Sequence, residues 1–171
     1  MRSLFKGWRA QASEGEALYA ALVAEARRPA WYIEGGVADT LDGRFAVLAS
    51  LVALAILRLE DGRESAVRGS VALTESFIAD MDAQMREQGF GDPSIGKQVR
   101  SMVGALASRV DRWRHARSGE VDWSDAVRFS IYRDDPPADE TAATFSAETL
   151  RRFDEGMAGS SDDALLRGVL A

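Results

Sequence analysis

The residues most suggestive of chemistry lie between positions 80 and 102, in the sequence DMDAQMREQGFGDPSIGKQVRSM. Within it, residues 91–97 have the G-x-x-x-x-G-K spacing of a phosphate-binding loop. That loop normally follows a β-strand, and a serine or threonine after its lysine binds Mg²⁺. Here a helix is predicted before the loop, Gln98 follows Lys97, and Pro93 removes one backbone N–H donor. The pattern therefore favours a turn between two helices over nucleotide binding, with Gly89 as the left-handed residue that ends the first helix.

Two aspartates upstream of this turn, Asp80 and Asp82, could suggest a metal site. Residues two apart on a helix are separated by about 200°, so the two carboxylates cannot bind one ion together. Asp82 is spaced instead for an ion pair with Arg86, and Asp80 is left for a contact with another helix or a partner. The chain has no cysteine and a single histidine, His115, which excludes thiolate and histidine-cluster metal sites. No catalytic constellation, metal site or cofactor site is predicted.

The charge distribution argues against nucleic-acid binding. The chain carries a net charge of −6, although residues 93–117 hold six lysines and arginines against one acid. Lys97, Arg100, Arg109 and Arg112 spread over a wide helical face without interleaved aromatic residues for base stacking. We therefore predict a solvated face, or a contact with an acidic partner, rather than a nucleic-acid interface.

A run of thirteen residues, 45–57 (FAVLASLVALAIL), contains only Ser50 as a polar residue. As a helix it would be about 20 Å long, too short for a bilayer core of about 30 Å. A helix that is apolar on all sides is normally the buried centre of a bundle. The sequence therefore predicts an all-α fold, a single-domain helical bundle with a central buried apolar helix. The remaining helices are predicted from Glu14 to before Pro29, from Val71 to Gln88, from Asp92 to about Arg117, around Trp123–Tyr132, near Ala147–Met157 and near Asp162–Leu170.

The connecting segments suggest how the chain is organised. Residues 60–69 are predicted to be a polar loop, and Asp134–Thr144 an extended linker. We divide the chain into a basic N-terminal tail (1–13), a helical domain (14–133) and an acidic C-terminal extension with short helices (134–171). The tail is basic and partly apolar, which suggests either a frayed end or a peripheral contact with an anionic membrane.

Two blocks of the sequence resemble the ubiquinol–cytochrome c chaperone family. Residues 80–102 are similar to the family's signature, in which a DMD segment leads through G-(apolar)-G-D into (apolar)-G-K. Residues 37–45 (VADTLDGRF), followed by an apolar helix, resemble a second family block. The resemblance covers residues 17–133. It departs from the family pattern at Leu106-Ala-Ser-Arg109, where the family tends to have an aromatic residue and glycine before arginine.

The resemblance implies an all-α protein without enzymatic activity that binds newly made cytochrome b for assembly of the bc1 complex. We therefore expect a cytoplasmic, non-catalytic assembly chaperone working at the inner face of a respiratory membrane. A generic helical interaction domain with another partner is the first alternative, and an unrecognised enzyme the second.

A chaperone for a membrane protein needs an apolar groove with a polar rim. The predicted partner-binding residues are those placed at loops and at the helix ends beside the turn: Trp31, Tyr32, Asp80, Phe90 and Lys97. For the three aromatic residues, packing in the core is the alternative.

Overall fold

The structure, a computed structural model, describes residues 15–87, 89, 92–133, 137 and 139–170, with the backbone alone for 92–95. All regular secondary structure in these ranges is helical, which confirms the predicted all-α fold. The elements are α1 (15–26), α2 (Ala30–Ile33), α3 (Leu41–Glu60), α4 (Glu64–Glu87), α5 (Asp92–Ser118), α6 (Trp123–Val127), a π-helical turn (Arg128–Tyr132) that continues α6, α7 (Glu140–Gly159) and α8 (Asp162–Leu166).

Helix α3 is the centre of the bundle. It begins after Thr40, whose hydroxyl accepts a hydrogen bond from the Gly43 amide at 3.1 Å as an N-cap. Every residue from 46 to 57 is buried, and α3 packs against α4, α5, α7 and the π-helical turn. Ser50, the one polar residue in this run, donates its hydroxyl to the Ala46 carbonyl at 2.8 Å. The predicted central apolar helix is therefore confirmed. In the described parts of the chain, no helix combines the length and apolar character that a membrane span requires.

Helix α4 begins earlier than predicted, because only residues 61–63 separate it from α3. The polar loop predicted over residues 60–69 was therefore wrong for most of its length. Gly69 suggested a loop, but it lies inside the helix, where an added Cβ would stand 2.3 Å from Leu166 Cδ2. The glycine lets α8 pack closely against α4, and this tertiary contact overrides its low helix propensity.

Helix α7 also begins earlier than predicted. Asp139 is its N-cap, accepting a hydrogen bond from the Ala142 amide at 2.9 Å. The linker expected as far as Thr144 therefore ends before Glu140. The buried apolar residues of α7 and α8 belong to the same core as α1, α3 and α4.

An arginine and a carboxylate fasten the C-terminal helices to α3. Arg58 donates to the carbonyls of Met157 at 3.0 Å and Ser160 at 2.7 Å, and to Asp162 Oδ1 at 3.0 Å. Asp162 Oδ2 accepts from the Arg63 amide at 2.9 Å. The Arg58 side chain thus donates hydrogen bonds to carbonyls at the end of α7, and its charge pairs with Asp162, the first residue of α8. We refer to Arg58 and Asp162 as the C-terminal clamp.

Candidate functional site

A surface cavity of about 1330 Å³ lies between α1, the segment leading into α3, α4, α5 and the π-helical turn. We refer to it as the groove. It exceeds the roughly 300–1,000 Å³ of most small-molecule sites, so its volume suits a segment of polypeptide. Solvent reaches it along its edges, where lining residues such as Ala24, Leu41 and Ala83 are exposed.

The floor of the groove is apolar and rich in methionine. Phe45 and Leu48 of α3 line it, together with Met81, Met85 and Met102, three of the chain's five methionines. Methionine is unbranched and polarisable, so it can adjust to apolar surfaces of different shape. Such a floor suits an apolar ligand that does not have one fixed outline.

The rim of the groove is polar. Asp80 accepts hydrogen bonds from Tyr19 Oη at 2.6 Å and from Gln84 Nε2 at 2.9 Å, and the first of these joins α1 to α4. Burial and the hydrogen bond to Asp80 raise the pKa of Tyr19, so the phenol stays protonated and donates. Gln98 and Ser101 of α5 add amide and hydroxyl groups to the lining. The rim therefore offers both donors and acceptors.

Arg109 corrects the sequence prediction most sharply. We predicted it on a solvated face, but it is 1% exposed and lines the groove. Its Nε donates to the Ser130 carbonyl and its Nη1 to the Ala105 carbonyl, each at 3.0 Å, and the guanidinium lies 5.4 Å from the centre of the Phe45 ring. Burial, and then the positive charge of Arg133, lower the pKa of Arg109 to about 10, so it remains charged at neutral pH.

Of the residues with phosphate-loop spacing, 92–97 lie in the first turns of α5. Gly89, with φ +82°, ends α4 in the left-handed conformation that was predicted for it. Lys97 is exposed on α5 and does not line the groove, and residues 90 and 91 lie outside the described ranges. Asp82 pairs with Arg86 at 2.8 Å, as its spacing predicted. Among the described residues, no cluster of histidine, aspartate and glutamate side chains is arranged to hold a metal ion.

The structure brings two of the five predicted partner-binding residues to the groove, Asp80 and Tyr32. Tyr32 is half-buried and donates its hydroxyl to the Ala26 carbonyl at 2.8 Å. Trp31 is 1% exposed, and its Nε1 donates to the Glu25 carbonyl at 3.0 Å, which makes it part of the core. Lys97 stands apart on the surface, and Phe90 lies outside the described residues.

Neither the methionines nor Arg109 was predicted to be a site residue. Met81 and Met85 are both buried, and they also form the groove floor. The signal available in the sequence was the third methionine, Met102, on the helix after the turn. Methionines on both helices of one hairpin indicate a surface that can adapt its shape rather than a core of fixed shape.

Comparison with known proteins gives two similarities. Residues 34–171 match the sequence model of the family described as Ubiquinol-cytochrome C chaperone, so the similarity continues beyond residue 133, where the motifs quoted above end. The crystal structure of the Cbp3 homolog from Brucella abortus has the same fold, with a TM-score of 0.81 at 23% identity, over 100% of this chain and 96% of that one. A search of curated proteins found no match.

Proposed function

The chain belongs to the ubiquinol–cytochrome c chaperone family, and on that premise we propose that it is a non-catalytic assembly chaperone whose groove binds newly made cytochrome b for assembly of the bc1 complex. The observation that carries this proposal is the groove itself, a large cavity with a methionine-rich floor and a polar rim.

The chemistry of the groove matches an unassembled membrane protein. Cytochrome b is an integral membrane protein, so its segments expose apolar side chains before they are inserted. The floor residues Phe45, Met81, Met85 and Met102 can cover such side chains, because burying apolar surface is favourable and methionine adapts its shape. Rim groups such as Gln84 and Gln98 can bond the polar backbone of the same segment.

A non-enzymatic role agrees with the chemistry of the described residues. The single histidine, His115, lies near the end of α5, where its Nδ1 is 2.8 Å from the Asp111 carbonyl oxygen and its ring faces the carboxylates of Asp111 and Glu120. It does not line the groove. Binding, rather than bond making, is therefore the function that the groove supports best.

We place this activity in the cytoplasm, at the inner face of the respiratory membrane where cytochrome b is inserted. Peripheral contact with that membrane is part of the proposal. It is supported by the basic and apolar sequence of residues 1–13, which lie outside the described ranges.

The first test is a strain lacking the protein. We expect normal cytochrome b transcript but little assembled bc1 complex, with haem b absorbance and ubiquinol–cytochrome c reductase activity falling together. A respiratory route that bypasses the complex should still work. Normal bc1 content in this strain would rule out an essential role and leave only a generic interaction domain.

The second test blocks the groove without disturbing the fold. Ala24 and Ala83 are exposed residues on two walls of the groove, and Ala24→Lys with Ala83→Lys would place long charged side chains over its floor. The matched control is Val71→Lys with Ala107→Lys, which adds the same charge at exposed helical positions outside the groove. We expect crosslinking to cytochrome b to fall about tenfold in the groove variant, a loss of about 1.4 kcal/mol of binding free energy, and to persist in the control. Both variants must keep the helical circular dichroism of the parent. Equal crosslinking in the two variants would place the client elsewhere.

A further inference from the structure

The side of the groove formed by the π-helical turn carries two positive charges that no described carboxylate neutralises. Arg109 and Arg133 both line it, and they lie close enough for the charge of Arg133 to contribute to the lowered pKa of Arg109. Neither forms an ion pair with an acidic side chain among the residues that the structure describes. By contrast, Arg128 in the same turn pairs with Glu140, and Arg44 across the groove pairs with Asp39 at 2.7 Å.

Burial makes this arrangement costly for Arg109. A charged group removed from water is destabilising unless it is paired or fully hydrogen-bonded. Arg109 uses Nε and Nη1 for the Ser130 and Ala105 carbonyls, and its position over the Phe45 ring contributes a further attraction. Its second amino group, Nη2, makes no hydrogen bond with a described residue. That group is therefore available to a ligand in the groove.

The backbone at Arg133 is strained. With φ 40° and ψ −104°, it is the one residue other than glycine with positive φ in the part of the chain that the structure describes. Such conformations are destabilising and cluster at binding sites, and π-helical turns are also frequent there. The turn that ends at Tyr132 thus supplies the Ser130 carbonyl that fixes Arg109 and brings the Arg133 side chain to the same wall.

We propose that Arg109 and Arg133 form an anion subsite that binds the carboxylate of an aspartate or glutamate carried by an otherwise apolar client segment. This inference rests on the proposed function, because it takes the occupant of the groove to be a polypeptide. Guanidinium groups bind carboxylates with two parallel hydrogen bonds, which gives the contact geometric specificity as well as strength. An acidic side chain in an apolar segment is costly to bury elsewhere, so the subsite would select segments that carry one.

The rest of the rim favours a peptide over an anionic lipid. Besides Arg109 and Arg133, the groove is lined by three acids, Asp42, Asp80 and Glu87, and by Arg27 and the ion-paired Arg44, so this remainder is net negative and would repel a surface of anionic headgroups. Gln84 and Gln98 supply amide groups of the kind that bond a peptide backbone. An isolated carboxylate on a polypeptide can reach the arginines without bringing further negative charge to the rim.

Two peptides that differ in one group would test this subsite. The probes are a fluorescently labelled leucine–alanine helical peptide with one glutamate and its twin with glutamine, each titrated into the purified full chain by fluorescence anisotropy. We expect the glutamate peptide to bind about tenfold more tightly, since hydrogen bonds to a charged carboxylate are stronger than those to a neutral amide. Arg133 is exposed, so Arg133→Gln should leave the fold intact, and the preference for the glutamate peptide should largely disappear in this variant. Arg109→Gln should abolish it too, and Arg151→Gln, at an exposed site on α7 outside the groove, should leave it unchanged.

The other outcomes separate a failure of the subsite from a failure of the proposed function. Equal affinity of the two peptides for the parent chain would leave an apolar groove without an anion subsite. Binding of phosphatidylglycerol vesicles that is lost in Arg133→Gln, without any preference between the peptides, would assign the arginines to a lipid headgroup. If neither peptide binds while the deletion strain still lacks bc1 complex, the subsite fails and the proposed function stands. A glutamate preference together with normal bc1 content would keep the subsite and remove cytochrome b as the client.

Discussion

Replacing Asp162 of the C-terminal clamp by asparagine should lower the free energy of unfolding by about 2 kcal/mol at neutral pH, because hydrogen bonds to charged groups contribute about 1.5–3 kcal/mol. The carboxylate side chain is 9% exposed and pairs with Arg58, itself 12% exposed, at 3.0 Å. Loss of one partner from a fully buried pair would cost about 3–5 kcal/mol. The smaller figure applies because asparagine keeps one acceptor oxygen and Arg58 keeps its bonds to the Met157 and Ser160 carbonyls.

The same substitution should change how stability depends on pH. The hydrogen bond from the Arg63 amide, followed by those from the Arg58 and Arg63 side chains, holds the pKa of Asp162 below its usual range. A carboxyl whose pKa is lower in the folded state stabilises the fold above its unfolded pKa of about 3.9 and loses that effect as the pH falls through the folded value. The difference between parent and variant should therefore be fully present at neutral pH and shrink below about pH 4.

Urea unfolding followed by circular dichroism, at neutral pH and at about pH 3, measures both effects. The matched control is Asp163→Asn, because the Asp163 side chain is 64% exposed and, among the described residues, pairs with the exposed Arg63 alone, at 3.3 Å. It should change stability by less than about 1 kcal/mol. If the two variants unfold at the same urea concentration, α8 contributes little to the bundle. That result would refute the account of the clamp and favour residues 134–171 as a separable extension.

Two further predictions concern a buried hydroxyl and the loop between α4 and α5. Tyr132 is 4% exposed and donates its hydroxyl to the Gly35 carbonyl at 2.5 Å, with Ser146 Oγ 2.8 Å away. Because Tyr132→Phe would leave these buried acceptors without that donor, it should lower the free energy of unfolding by about 1–3 kcal/mol. Thermal unfolding of the half-buried Tyr32→Phe variant is the comparison, and an equal loss in both would contradict the special role of Tyr132. Lys97→Ala should leave the melting temperature unchanged, and ATP or GTP with Mg²⁺ should shift neither the parent nor the variant. A nucleotide-dependent rise that Lys97→Ala abolishes would overturn the interpretation of the loop as a turn.

The elements that the sequence predicted correctly are those whose determinants are local. Helix α3 follows from an unbroken apolar run, and burial of that run confirms the prediction. Gly89 is left-handed because a helix must end before the turn, and glycine tolerates that conformation without strain. The Asp82–Arg86 pair follows from helical spacing alone. None of these predictions required knowledge of which helices pack together.

The predictions that were wrong depend on contacts between distant parts of the chain. Gly69 was interpreted as part of a loop, and only Leu166, ninety-seven positions later in the sequence, explains why a glycine stands inside α4. Arg109 was placed on a solvated face because a helical wheel gives the direction of a side chain but not its acceptors. Its acceptor beyond its own helix is the Ser130 carbonyl, which only the π-helical turn brings within reach. Patterns of charge therefore could not distinguish an exposed arginine from this buried one.

The groove combines two features that cost folding free energy, the buried charge of Arg109 and the strained backbone of Arg133. Folding alone does not require either of them. A neutral side chain at position 109 would remove the cost of burying a charge, and glycine at position 133 would tolerate the observed φ. Both costs fall on the same wall of the cavity, beside a floor that can adapt to apolar ligands. A carboxylate bound to both arginines would offset the cost of burying the Arg109 charge, and its binding would stabilise the folded state by an amount that rises with the logarithm of its affinity. The buried guanidinium and the strained backbone therefore lie where the proposed subsite would bind its carboxylate.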